Sequence, residues 1–259
     1  MNKLISAAVI TVIAASCAKN EKPTEYGNIS LTIEQGASAF VENSTKATAT
    51  IPDEYQVVTT TAADAQVAAG TGTYGTLKGG FTIPTGTGYK ISAFNCSAND
   101  AESKPDSKGQ QRFFGSSTFD ITAGNLAVVT FTCSMANSKV SVGYDNSFAS
   151  QFTNYSVQVS SAVNTTRIID FTNASTVDSP VAFFNVDPTT PTLNIKITGT
   201  RKTDSVAKTY NQTITLLAKT WHKLSIKATS VSGSANLDIT VDHSMAEVSS
   251  DISIDPYAN

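Results

Sequence analysis

The chain has 259 residues, 18 of them basic and 21 acidic, for a net charge of −3. The acidic balance and the lack of any basic run exclude nucleic-acid binding, which needs a cationic footprint. The length suits one large or two ordinary domains.

The first residues form a leader. Lys3 supplies a short positive region, and residues 4–15 are apolar apart from Ser6 and Thr11. That run is shorter than the about 20 apolar residues a membrane-spanning helix takes. Ala14, Ala15 and Ser16 follow, then Cys17. Small residues ending a secretory signal directly before a cysteine resemble a lipobox, with Ala14 where a leucine usually stands. Residues 1–17 are therefore read as a lipoprotein signal, with diacylation at Cys17. Lipid attachment contributes about 0.8 kcal/mol per buried CH₂, so several chains on one cysteine hold firmly. Losing Lys3 with the leader leaves 17 basic against 21 acidic residues, net −4. Residues 18–26 (AKNEKPTEY) are polar, contain Pro23, and read as a tether reaching at most about 30 Å.

Beyond the tether the chain is rich in Thr, Ser, Val and Ile, which favour strands and turns over helices. Period-two alternation marks half-buried antiparallel strands: Ile29, Leu31, Ile33; Val129, Phe131, Cys133; Val140, Val142, Tyr144; Tyr155, Val157, Val159; Leu193, Ile195, Ile197; and Leu237, Ile239, Val241. Turn signals lie at residues 84–88, 123–125 and 232–234. Residues 146–152 predict one or two helical turns capped by Asn146 or Ser147, with Phe148 and Phe152 on one face. Residues 97–111 (SANDAESKPDSKGQQ) predict a polar loop projecting from the body.

Cys96 and Cys133 are an even pair in an exported chain and have two readings, a disulfide or two buried free thiols. A weak internal repeat relates 88–94 to 193–199 and 118–133 to 212–227. It predicts an all-β fold of two tandem antiparallel β-sandwiches, residues 27–136 and 137–259, joined near Met135 and Ser138 with almost no linker.

No catalytic or metal constellation emerges. His222 shares a strand face with Leu224 and Ile226 and reads as packed, while His243 ends a strand and reads as solvated. Neither stands in a zinc spacing. There is no G-x-S-x-G, and the glycine-rich run 70–88 lacks a phosphate-loop pattern. No cofactor is expected. Trp221 alternates away from His222, onto the outer face. Trp221 and Phe113 are the candidate glycan contacts.

The segments 27–33 (GNISLTI), 89–97 (YKISAFNCS), 129–137 (VTFTCSMAN), 148–157 (FASQFTNYSV), 221–227 (WHKLSIK) and the terminal Asp255-Pro256-Tyr257 together resemble the fimbrillin-like surface lipoproteins of gut anaerobes, in particular a family of unknown function. The resemblance implies two transthyretin-like or Ig-like sandwiches, lipidation in the outer membrane, surface exposure and a role in fimbriae or adhesion, with other fimbrial subunits or host and glycan ligands as partners. It further implies assembly by strand exchange, with residues 28–33 as the displaced strand and 251–254 (DISI) as the donor. The processing site in such relatives needs a basic residue in an exposed linker, and Lys46 is the one in that region. Asp204-Ser205-Val206 resembles an O-glycosylation acceptor of such bacteria.

Overall fold

The computed structural model describes residues 24–36, 49–104, 106–176, 179–231, 234–243 and 250–254, with side chains described up to Ala228. Cys17 and Lys46 lie outside the described residues. The chain is all-β. Its first half comprises β1 (Tyr26–Gln35), β2 (Ala49–Thr50), β3 (Gln56–Thr60), β4 (Gly72–Thr73), a short α1 (Tyr74–Leu77), β5 (Phe81–Pro84), β6 (Gly86–Phe94), α2 (Ala98–Ser103), β7 (Phe113–Ile121) and β8 (Leu126–Met135). The second comprises β9 (Asn137–Tyr144), α3 (Asn146–Gln151), β10 (Phe152–Ser161), β11 (Ile169–Thr172), β12 (Val181–Asn185), β13 (Thr192–Arg201), β14 (Ala207–Thr215), β15 (Trp221–Val231), β16 (Ser234–His243) and β17 (Ser250–Ile254). Among the described residues no helix is long and apolar enough to cross a membrane.

The alternating residues form the strands because each places one side chain in two towards a core. In β1, Ile29, Leu31 and Ile33 are buried while Asn28 and Thr32 are exposed. They join Val57, Ile91, Val129 and Phe131 in the first core. Val157, Val159, Leu193, Ile195 and Ile197 meet Val140, Val142, Leu224 and Ile226 in the second. The first half is a single folded sheet in the order β2-β1-β8-β7-β6-β3-β4, with β5 on β1. The second is a pair of sheets, β11-β10-β13-β14 and β12-β9-β15-β16-β17.

The two halves repeat one topology. β3, β6 and β7 are antiparallel neighbours as β10, β13 and β14 are. β5 lies antiparallel to β1 as β12 does to β9. The first strand of each half also pairs parallel with the strand closing the repeat, β1 with β8 and β9 with β15. The two sheets that hold these pairs are therefore mixed, where alternation predicts antiparallel ones, while β11-β10-β13-β14 is antiparallel throughout. Alternation reports which face of a strand is buried and carries no information on the direction of its neighbour.

The helix at 146–151 forms as expected, but its cap is Asp145, whose carboxylate accepts from the Ser147 N–H at 2.8 Å. Phe148 and Phe152 stack with ring centroids 4.6 Å apart.

The segment 97–111 differs most from expectation. It forms α2, capped by Ser97, and folds against the second half. Glu102 is buried. Its carboxylate accepts from the Asn185 backbone N–H at 2.8 Å and from the Asn164 side-chain amide at 3.4 Å. Arg167 reaches back, donating to the Ser107 and Phe183 carbonyls at 2.9 and 3.0 Å, with its guanidinium 4.7 Å above the Phe184 ring. Phe183 packs on the first core. Asn137, fully buried at the start of β9, donates to the Gln110 carbonyl and accepts from the Arg112 N–H. A polar sequence is here a buried polar joint, most of its groups satisfied by distant partners that no local pattern reveals, with Arg167 Nη2 left without one.

Candidate functional site

Among the described residues, two surfaces open to recognition are the outer faces of the sheets that carry β3-β6-β7 and β10-β13-β14. On the first, cross-strand register sets Val58 beside Ser92 and Ser116, and Thr60 beside Lys90 and Thr118, in a groove of about 290 Å³. Lys90 is ion-paired with Asp64 at 2.8 Å. Phe94 and Phe114 stand side by side on this face. Phe114 is 36% exposed, with the Arg112 guanidinium 4.9 Å from its ring centre. A π face beside a row of hydroxyls suits a ligand with both apolar and hydroxylated sides.

Phe113, the expected contact, is buried and points into the first core. Its pairing with the buried Met135 fixes that choice, and a one-residue step along a strand reverses the face. The aromatic on the outside is therefore Phe114. Adjacent phenylalanines signal that one of the two is exposed. Which one depends on the register with β8, which no local pattern supplies.

The second face carries the rows Gln158–Lys196–Asn211 and Ser160–Asn194–Thr213 in a groove of about 400 Å³. Trp221 belongs to the other sheet of this half, on its outer face and half-buried. Its indole N–H donates to the Ser141 hydroxyl at 2.9 Å, and the Lys139 and Lys223 ammonium groups lie 3.3 and 4.1 Å from ring centroids of the indole. Trp221 and Phe114 stand on different halves, so the structure does not unite them in one site.

His222 is buried as expected, and its Nε2 accepts from the Leu217 N–H at 3.2 Å. The β15–β16 register sets it opposite His243, two histidines that their sequence separation kept apart. Among the described residues no group of three or more metal-binding side chains comes together.

Cys96 and Cys133 are free thiols, so of the two readings the disulfide is the one to correct. Cys96 lies half-buried just past the end of β6, and Cys133 is buried in β8. Burial pushes both thiols up, Cys133 to about 11. Ser205 lies exposed in the β13–β14 turn, where Asp204 pairs with Arg201 and accepts from the Val206 N–H.

A pair of topologically repeated β-sandwiches locked by a buried polar joint is the class of protein this architecture defines. The chain belongs to the family described as a domain of unknown function (DUF4493), whose model matches residues 25–256 and so takes in both halves. No protein with a curated description matches the chain. Similar solved structures include a candidate cell adhesion protein of Bacteroides eggerthii, 13% identical over 85% of this chain and 96% of its own, with a TM-score of 0.41. A candidate adhesin of Bacteroides ovatus is 9% identical over 80% of this chain and 88% of its own, with a TM-score of 0.34. Candidate polysaccharide-binding proteins of Bacteroides thetaiotaomicron are 11% identical over 70% of this chain and 77% of their own, with a TM-score of 0.28.

Proposed function

We propose that this chain is a non-enzymatic, fimbrillin-like lipoprotein of the outer membrane, held through Cys17 and acting at the cell surface in adhesion. Its two domains, 27–136 and 137–259, work as one body across the Glu102–Arg167 joint. The observation that carries the reading is the seat of β1. This strand follows the tether directly and lies parallel to β8 over eight residue pairs. It buries Gly27, Ile29, Leu31 and Ile33 in alternation. A strand held this way is exchangeable in kind: its removal leaves a row of unpaired backbone groups and alternate pockets that another strand can fill. Lys46 is the one basic residue between Tyr26 and Lys78, so cleavage there frees β1. The donor is the 251–254 segment of the next copy, a segment that within its own chain lies antiparallel at the edge of β16.

The test is a gel of protein taken from its native cell surface, run unboiled and boiled. A ladder that collapses on boiling, and is absent for Lys46→Gln, is the expected result. One band in both lanes rejects strand exchange.

A second reading, glycan capture for nutrition, is favoured by Phe114 and its hydroxyl-lined groove. Glycan-array binding lost in Phe114→Ala supports it, while binding that survives both Phe114→Ala and Trp221→Ala removes these residues from it.

A further inference from the structure

The free edges of the described sheets are mostly short, with β2, β4, β5, β11 and β12 between two and five residues long. β14 is the exception. Its nine residues ladder without a break to β13, from Thr192↔Thr215 to Thr200↔Ala207, and it ends its sheet. The repeat explains why this edge is open. Its counterpart β7 has β8 laddered to its start at Phe113↔Met135 and Phe114↔Ser134, whereas β15, the counterpart of β8, pairs with β9 and β16 instead. Long edges are ordinarily blunted by proline, by a bulge or by several charges. β14 (AKTYNQTIT) has no proline, no bulge and one charge, Lys208. Exposed apolar side chains flank it at both ends, Val206 (44%) before it and Leu217 (37%) after it.

We propose that β14 is the docking edge for β14 of a second copy, antiparallel about a two-fold axis at Asn211, joining two four-stranded sheets into one of eight. The strand is self-complementary in that register. Lys208, Tyr210, Gln212 and Ile214 are half-buried, and the residues between them are exposed. Only an even register matches face to face, and the one centred on Asn211 uses all nine residues. It sets Lys208 opposite Ile214, Tyr210 opposite Gln212 and Thr209 opposite Thr213, so no like charges meet and hydroxyls and amides face their own kind. At each end Val206 of one copy comes to the Leu217 end of the other. Such a contact is isologous and closes at two copies, so it forms no ladder and stands apart from any exchange of β1.

The test uses the full chain purified in detergent, its mass read by native mass spectrometry and its pairing by cysteine cross-linking. The expected result is twice the chain mass, reduced to the single mass by Asn211→Lys, which sets two ammonium groups opposite each other on the axis. Asn211→Cys cross-links to itself on mild oxidation, because opposed Cα atoms about 4.5–5.5 Å apart are within disulfide reach. Thr213→Cys does not cross-link alone but does with a Thr209→Cys copy. A single-chain mass up to about 0.1 mM, or a dimer that Asn211→Lys leaves intact, overturns the proposal. Unchanged melting of Asn211→Lys shows that its effect is not unfolding.

Discussion

Cys133 sits wholly inside the first core, its sulfur 3.5 Å from the Ala93 carbonyl. A thiol held protonated by burial is a poor nucleophile and a poor partner for oxidation. Native protein is therefore expected to leave Cys133 unmodified by an alkylating reagent that labels it in denaturant, and reductant is expected to leave the melting temperature unchanged. Mass spectrometry of the labelled peptides checks the first and a thermal scan the second. The ionisation also has a consequence for stability. The folded thiol titrates near 11 against 9.0 for an ordinary one, so between those values the unfolded chain has released a proton that the folded chain still holds. Stability then falls as pH rises through that window. Tyr55, pushed up to about 12 chiefly by burial, acts in the same direction from pH 10 upward. Urea titrations across this range are expected to show the decline, and Cys133→Val to flatten its lower part.

At the scale of elements, the short helices depend on single contacts. Asp145 caps α3 through Ser147, and those hydrogen bonds hold its carboxyl below the ordinary value of 3.8. Its contribution is present above that value and fades as pH falls through the lowered one. Asp145→Ala is expected to cost about 1 kcal/mol at neutral pH and almost nothing in strong acid, which denaturant curves at the two conditions can compare. Gly109 tests the loop after α2. Its φ is +82°, and a Cβ there lies 2.4 Å from the Ala101 carbonyl and 3.0 Å from the Phe183 carbonyl. Gly109→Ala is expected to lower stability by more than the about 1 kcal/mol of an ordinary backbone penalty and to raise amide exchange in α2. These same elements show where sequence reasoning stops. Strands such as Leu193, Ile195, Ile197 are legible because burial on one face imposes a period of two. The repeat is legible because it reuses that pattern in order. The α2 joint is not, since Glu102 is buried by partners at Asn164 and Asn185, more than sixty residues away. The outer-face aromatic was legible only to within one residue, because Phe113 and Phe114 are told apart by pairing with β8.

For the whole molecule, that joint decides whether the two halves melt together. Each has its own core, so separate unfolding is the default for tandem sandwiches with a small interface. Here Glu102 is buried and Arg167 half-buried, on opposite sides of one contact. Burial lowers the Arg167 pKa, and the charge of Glu102 opposes that shift. A buried donor that loses its acceptor costs about 1–3 kcal/mol, more than a surface ion pair contributes. Glu102→Ala also strips the acceptor from the Asn185 N–H at the end of β12, the strand whose Phe183 packs on the first core. The loss therefore falls on the contact between halves and spares both hydrophobic clusters. Calorimetry is expected to show one transition for the native chain and two for Glu102→Ala, with Glu102→Gln intermediate because its amide oxygen can still accept from Asn185. A single transition that merely shifts downward in Glu102→Ala means that apolar packing around Phe183 couples the halves. In that case Phe183→Ala, with Glu102 intact, is the substitution that separates them.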